Sequence, residues 1–344
     1  MSKKKLFILF LSLFMVLSAA GCGGSGAYVF TPAWRDKHIS FEREYAEYQA
    51  ERFFYPDGEN GTVIASGTFC QEITLNADEK QYLYKSDLTI TYIDKLPAQI
   101  AEEIKAGAVD TITASLSFGS DTHTILKPYF MEKIMDYQSV DGLSRQVTAE
   151  YPRPTVSGIP AVSELTVTQT MGGETAKVIA KESKVKGMFD NESLFLVARC
   201  SPGFIQGSAV SIPLVSAVDT AIDGTLKTFS ISVTVGETAY PWKAGEEPPK
   251  IFAEKFSPPF INDDGSITAL GAVFANQNAP QGPPIEVIFA AYDAKDKDNK
   301  NSSVQNLILK ITQTEYYLSG DFQYKPKFRT VYTITDFSTM KVPI

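Results

Sequence analysis

The 344 residues contain two histidines, two tryptophans and three cysteines. That scarcity excludes chemistry before any motif is sought. His38 and His123 stand far apart, and neither has a second ligand at zinc spacing. His123 lies in Gly119-Ser-Asp-Thr-His, a turn leading into a strand, and reads as a turn residue. There is no Gly-x-Ser-x-Gly elbow, no Walker loop and no His-Glu-x-x-His pair, so the common hydrolase, nucleotide and zinc-protease signatures are missing. Positive charge is also short: 32 Lys and Arg stand against 40 Asp and Glu, a formal net charge of −8. An acidic balance argues against nucleic acid as a partner and against a basic footprint on anionic lipid. After residue 21 no apolar run approaches the length of a spanning helix, about 20 residues.

The one long apolar run is at the start. Lys3, Lys4 and Lys5 precede a stretch from Leu6 to Val16 broken only by Ser12, followed by Leu17-Ser-Ala-Ala-Gly-Cys22. Basic residues, a short apolar stretch and small residues are the parts of a secretory signal. Cys22 directly after Ala19-Ala20-Gly21 resembles the lipobox of bacterial lipoproteins. The resemblance implies cleavage between Gly21 and Cys22, a diacylglyceryl thioether on Cys22 and acylation of its amine. Residues 1–21 are then a signal peptide. Residues 22–27 are the acylated cysteine and a Gly23-Gly24-Ser25-Gly26 leash, whose composition is that of a flexible tether. The expected product is exported and anchored to a bacterial membrane: the outer face of the cell membrane, or the outer membrane where a second one exists. Its 323 residues carry a formal charge of −11, because the signal removes three lysines and no acid.

Cys70 and Cys200 remain. In an exported chain they are candidates for one disulfide; the alternative is two buried small apolar residues. Cys70 follows Thr68-Phe69 and Cys200 follows Leu194–Arg199, so both read as strand-borne. No Cys/His spacing indicates a metal, and no cofactor is implied.

The body is written in period two. Tyr82, Tyr84, Leu88, Ile90 and Tyr92 alternate with Lys85, Asp87, Thr89 and Thr91. The same alternation runs through Val109–Phe118, Leu226–Val235, Ile285–Tyr292, Val304–Leu318 and Phe328–Phe337. It puts one face on a core and one in water, the mark of antiparallel rather than parallel sheet. The expected fold is mainly β: a curved antiparallel sheet or half-open barrel with one to three short helices. Residues 28–61 are expected as a helical N-terminal segment, because Phe41, Tyr45, Tyr48 and Phe53 interleave with charges across Ile39–Phe53. A second short helix is expected over Leu96–Ala106, between Asp94 and Gly107. Residues 62–344 form the antiparallel β domain, with candidate internal boundaries at the proline-rich stretches 151–160 and 241–260.

Candidate sites are sparse. Asp293, Asp296 and Asp298 look like calcium ligands, but Lys295, Lys297 and Lys300 intrude and the turn glycine is missing, so a solvated hairpin loop is expected. Glu102-Glu103 is a carboxylate pair on a wet helix face. No catalytic set emerges, and the chain reads as no enzyme.

Three stretches carry a further likeness: Ser115-Leu-Ser-Phe118 running to Leu126-Lys-Pro128, Asp190-Asn-Glu-Ser-Leu-Phe-Leu196 with Arg199 three residues on, and Tyr316-Tyr-Leu318 before Phe328–Phe337. Their order over residues 62–337 is similar to a group of uncharacterised bacterial envelope proteins with a half-open barrel like LolA and LolB. That likeness implies a curved sheet wrapped around short helices, and in LolA and LolB the cavity receives acyl chains. The expected function is therefore a membrane-anchored envelope protein, non-catalytic, that binds or carries an apolar ligand such as a lipid. The alternative is a structural or partner-binding envelope protein with a filled core.

Overall fold

A computed structural model describes residues 41–76, 81–119, 130–138, 144–152, 155, 160–199, 207–240, 267–278, 282–290, 294–295, 303–304, 306–318 and 324–341. Gly21, Cys22, His38, His123, Leu126–Pro128, Cys200, Asp293, Asp296 and Asp298 lie outside them.

Eight strands form the first half: β1 (Phe41–Phe54), β2 (Thr62–Asn76), β3 (Gln81–Tyr92), β4 (Val109–Gly119), β5 (Phe130–Gln138), β6 (Ser144–Glu150), β7 (Glu164–Met171) and β8 (Glu174–Lys181). Each pairs antiparallel with the next. The second half runs β9 (Phe189–Asp190), α1 (Leu194–Arg199), β10 (Ala209–Val215), α2 (Ala217–Asp223), β11 (Thr228–Tyr240), β12 (Ile267–Asn276), β13 (Ile285–Ala290), β14 (Ala294–Lys295), β15 (Ser303–Val304), β16 (Ile308–Leu318) and β17 (Tyr324–Lys341). β14 and β15 make a small ladder of their own. The rest form one 15-stranded sheet in the order β8-β7-β6-β5-β4-β3-β2-β1-β17-β16-β13-β12-β11-β10-β9. The fold is mainly β and antiparallel, as the period-two pattern predicts; the two-residue β9 is parallel to β10.

The first and last strands meet in the middle of this sheet. β1 and β17 pair from Phe41↔Lys341 to Phe54↔Phe328. The helix expected over Ile39–Phe53 is therefore a central strand. Its inward residues are Glu44, Ala46, Tyr48, Ala50, Arg52 and Phe54, all buried. Small and charged residues on that face hide the alternation, and the aromatic spacing imitates a helix. Beside β1, Gly67 of β2 sits so close to β3 that a Cβ there would lie 1.9 Å from the Thr89 carbonyl oxygen. This close approach of paired strands requires glycine.

Leu96–Ala106 forms successive turns, with one helix-like bond from the Ile104 amide to the Ile100 carbonyl (2.9 Å). Ile100 and Ile104 cap one end of the sheet, packed with Phe54, Ile64, Ala65, Tyr92 and Phe328. Leu194–Arg199, read from sequence as a strand before Cys200, is helix α1.

α1 enters the main core. Leu194, Phe195, Leu196, Val197 and Ala198 are all buried. A helix apolar on every side belongs inside a core. Phe195 meets Phe274 of β12 edge to face, centroids 5.2 Å apart. Leu196 lines one small cavity with Ile73, Tyr84 and Ile308, so α1 faces strands from both halves of the sheet. From β1, the Tyr48 hydroxyl donates to the Ile308 carbonyl at 3.2 Å.

The outer edges, β8 and β9, share no ladder. α2 lies against β6, β7 and β8 instead. Ser216 caps it by accepting from the Asp219 amide (3.1 Å), and Gly224 ends it in the left-handed conformation at φ 68°. The 151–160 stretch connects β6 and β7, which pair directly; 241–260 lies in the β11–β12 connection, outside the described residues.

Candidate functional site

Two polar clusters are buried among the described residues. The first is built from Asp190-Asn-Glu-Ser193, the stretch between β9 and α1. All four side chains are buried, with Asp190 at 0% and Glu192 at 4% exposure. One Asp190 oxygen accepts from the Glu192 amide (2.9 Å), which organises the turn into α1. The Ser193 hydroxyl donates back to the Asp190 carbonyl (2.6 Å). The other Asp190 oxygen accepts a short hydrogen bond from the Tyr151 hydroxyl, just past β6. Burial first, and then the Asp190 carboxylate, push the Tyr151 pKa well above its usual value. The phenol therefore stays protonated and remains a donor. This bond joins the β6 side of the sheet to the β9 edge.

The second cluster surrounds Arg52 of β1. Its guanidinium bonds Thr330 Oγ1 at 3.1 Å and pairs with Glu315 Oε1 at 2.9 Å, and it lies 4.5 Å from the centre of the Phe328 ring. Burial, the largest single influence, would push its pKa down; the Glu315 carboxylate with Tyr92 and Tyr332 together outweigh it, and the net shift is upward. Tyr92 and Tyr332 are pushed up by burial against the opposing pull of Arg52; Glu315 adds to the rise in both, and Asp110 in Tyr92. This is an ion pair with aromatic walls, held by β1, β16 and β17.

Beside α1, a cavity of about 10 Å³ is lined by Glu44, Gln71, Ile73, Tyr84, Leu196 and Ile308. That is room for one water. The Gln71 side-chain amide donates to the Tyr84 hydroxyl at 2.8 Å.

The sequence candidates are scattered. Cys70 faces outward from β2, half-buried, as a free thiol. The Tyr45 hydroxyl lies 3.0 Å from Glu47 Oε2 and 3.4 Å from Cys70 Sγ. Glu103 binds Lys327 at 3.1 Å and so fastens the end cap to β17. Asp190–Leu196 is brought to the centre of the molecule. Arg52 and Tyr151 were not singled out from sequence. Arg52 carried a readable signal: in period two it falls on the face of Tyr48, Ala50 and Phe54. Tyr151 sits among prolines and carried none. Among the described residues no group of three or more His, Cys, Asp or Glu could hold a metal ion. None of their helices is long and apolar enough to cross a membrane, which says nothing of strands.

No family model and no curated protein matches the chain. Among solved structures it is similar to a beta-barrel-like protein of domain of unknown function DUF1849 from Brucella abortus. The two share 10% identity over 88% of this chain and 100% of that one, with a TM-score of 0.49. A match at that level assigns neither ligand nor activity.

Proposed function

We propose that this chain is a non-catalytic envelope lipoprotein, anchored through Cys22, whose curved sheet is filled by its own helices and which works through its outer surface. The observation that carries this reading is α1. Five consecutive apolar side chains are buried inside the core, where a carried ligand would sit, and one cavity beside them has water size. The buried polar groups support the non-catalytic part. Asp190 is spent on a cap and a clasp, and Arg52 on an ion pair. The outward faces of β3 and β4 carry Lys85, Asp87, Thr89, Thr91 and Thr113, all exposed, which suits a sheet standing in water. The anchor rests on the Ala19-Ala20-Gly21-Cys22 signal, which also supports export and a membrane location.

Native mass spectrometry of the detergent-free mature chain, residues 22–344 with Cys22→Ser so that neither signal nor acyl chain is present, is expected to give the bare polypeptide mass. A stoichiometric co-purified lipid would overturn the filled-core reading. Labelled palmitate should enter the wild type and not Cys22→Ser; label in both, or in neither, would overturn the anchor.

One observation favours the carrier reading instead. β8 and β9 share no ladder, so displacement of α1 and α2 would open an apolar concavity without breaking a strand pair. Bound lipid in the same mass measurement would select it.

A further inference from the structure

The buried apolar side chains of the described residues fall into two clusters. The large one surrounds α1; the small one includes Phe54, Ile64, Tyr92, Ile100, Ile104 and Phe328 at one end of the sheet. A polar layer divides them, strand by strand. On the inward face of β1, Arg52 stands between Ala50 of the large cluster and Phe54 of the small one. On β17, Thr330 stands between Tyr332 and Phe328, and on β4 buried Asp110 precedes Ile112. Arg52 ties the layer together through Thr330 and Glu315.

The small cluster is roofed by residues 94–106, in the link from β3 to β4. Ile100 and Ile104 are buried there, Leu96 and Pro97 half-buried, and the other nine residues exposed, so few side chains seat the loop. Its backbone bonds are local. The Ile100 amide donates to the Pro97 carbonyl (3.0 Å) and the Ile104 amide to the Ile100 carbonyl (2.9 Å). The two ends meet in a neck: the Tyr92 amide donates to the Ala108 carbonyl (2.9 Å) and the Gly107 amide to the Ile93 carbonyl (3.4 Å). Gly107 turns there in the left-handed region, at φ 65°. Glu103 and Lys327, both part-exposed, join the loop to β17 at 3.1 Å. A compact loop with adjoining ends is a unit that opens at lower cost than the strands carrying it. Here β3 and β4 stay paired from Thr91↔Val109 onward, and the polar layer separates the large cluster from the opening.

We propose that residues 94–106 form a lid, hinged at Ile93 and Gly107 and latched by Glu103–Lys327, which lifts while the 15-stranded sheet stays paired. Lifting uncovers Phe54, Tyr92 and Phe328 and admits water to the Arg52–Glu315 pair. This goes beyond the outer-surface reading, which stands whether or not the lid opens.

The test is hydrogen exchange in low denaturant, on residues 22–344 with Cys22→Ser. The amides of Ile100, Glu103 and Ile104 are expected to exchange at least about tenfold faster than those of Leu88 and Ile90 in β3, by a route that low denaturant does not speed. Lys327→Gln removes the latch and should speed the loop about twofold, with β3 unchanged. Lys227→Gln, which breaks an ion pair with Asp223 on α2, should speed neither. Loop amides that share the rate and denaturant slope of β3 would overturn the proposal. So would a Lys327→Gln chain whose loop rate is unchanged, or whose β3 speeds equally. Ile104→Cys in a chain with Cys70→Ser and Cys200→Ser reads the buried side of the lid. Its thiol should react with maleimide at a rate that low denaturant leaves unchanged; reaction only as fast as the whole chain unfolds would overturn the lid.

Discussion

The two halves of the sheet are joined twice, by different means. At β1–β17 they share a ladder running from Phe41↔Lys341 to Phe54↔Phe328. At the other junction, between β8 and β9, there is no ladder. α2 lies across β6, β7 and β8, and Tyr151 reaches Asp190. The first junction is built from backbone, which every residue supplies. The second is built from particular side chains, each replaceable by mutation. A protein with this arrangement should lose everything when the ladder region is disturbed, and lose increments when the seam is.

The largest effect is expected at Gly67→Ala. A Cβ 1.9 Å from a backbone oxygen forces β2 away from β3, beside the central ladder. The cost should be about 3 kcal/mol or more, read from the denaturant midpoint. A variant as stable as the parent would show that the β2–β3 pairing has slack. Next comes Arg52→Leu, which leaves the Glu315 carboxylate without its partner. A loss of about 3 kcal/mol is expected, with much of it recovered in Arg52→Leu/Glu315→Leu. A double variant no better than the single would place the loss in packing against Phe328 instead.

At the seam, Tyr151→Phe removes one donor from a buried carboxylate, for about 1–3 kcal/mol. Its pH dependence separates it from a packing defect. The folded protein holds the Tyr151 phenol above its ordinary pKa of 10.0, so the contribution is whole below pH 10 and is lost as pH rises beyond it. The gap in melting temperature between parent and variant should be constant near neutrality and close in strong base. A gap that persists there would remove the hydrogen bond from the explanation. Ser216→Ala takes the cap from α2 and should cost about 1 kcal/mol. If either seam variant matches Gly67→Ala, the difference between the two junctions is broken.

Much of the strand content was legible. The alternation in Tyr82–Tyr92, Val109–Phe118 and Phe328–Phe337 reappears as β3, β4 and β17, because each has one face buried and one in water. β1 was not legible. Its inner face bears Glu44, Ala46, Ala50 and Arg52, residues whose burial depends on partners hundreds of positions away: Arg52 and Thr330 are separated by 278 residues. α1 misled in the other direction. Leu194–Ala198 is a short apolar run, and such a run is ambiguous between a buried strand and a buried helix. The Asp190 cap before it organises the turn into the helix, and the burial that holds it there comes from distant strands.

By itself, then, the sequence determined the class of the protein and the facing of most of its strands. Both follow from period-two chemistry between neighbours along the chain. The scarcity of histidine and the absence of hydrolase and nucleotide motifs are equally sequence facts. Only the tertiary structure decided that the first and last strands meet, that a helix is buried in the core of the sheet, and that Arg52 and Glu315 pair inside it. Those outcomes depend on closing long loops and burying surfaces from distant segments together, and no local pattern encodes which segments will meet.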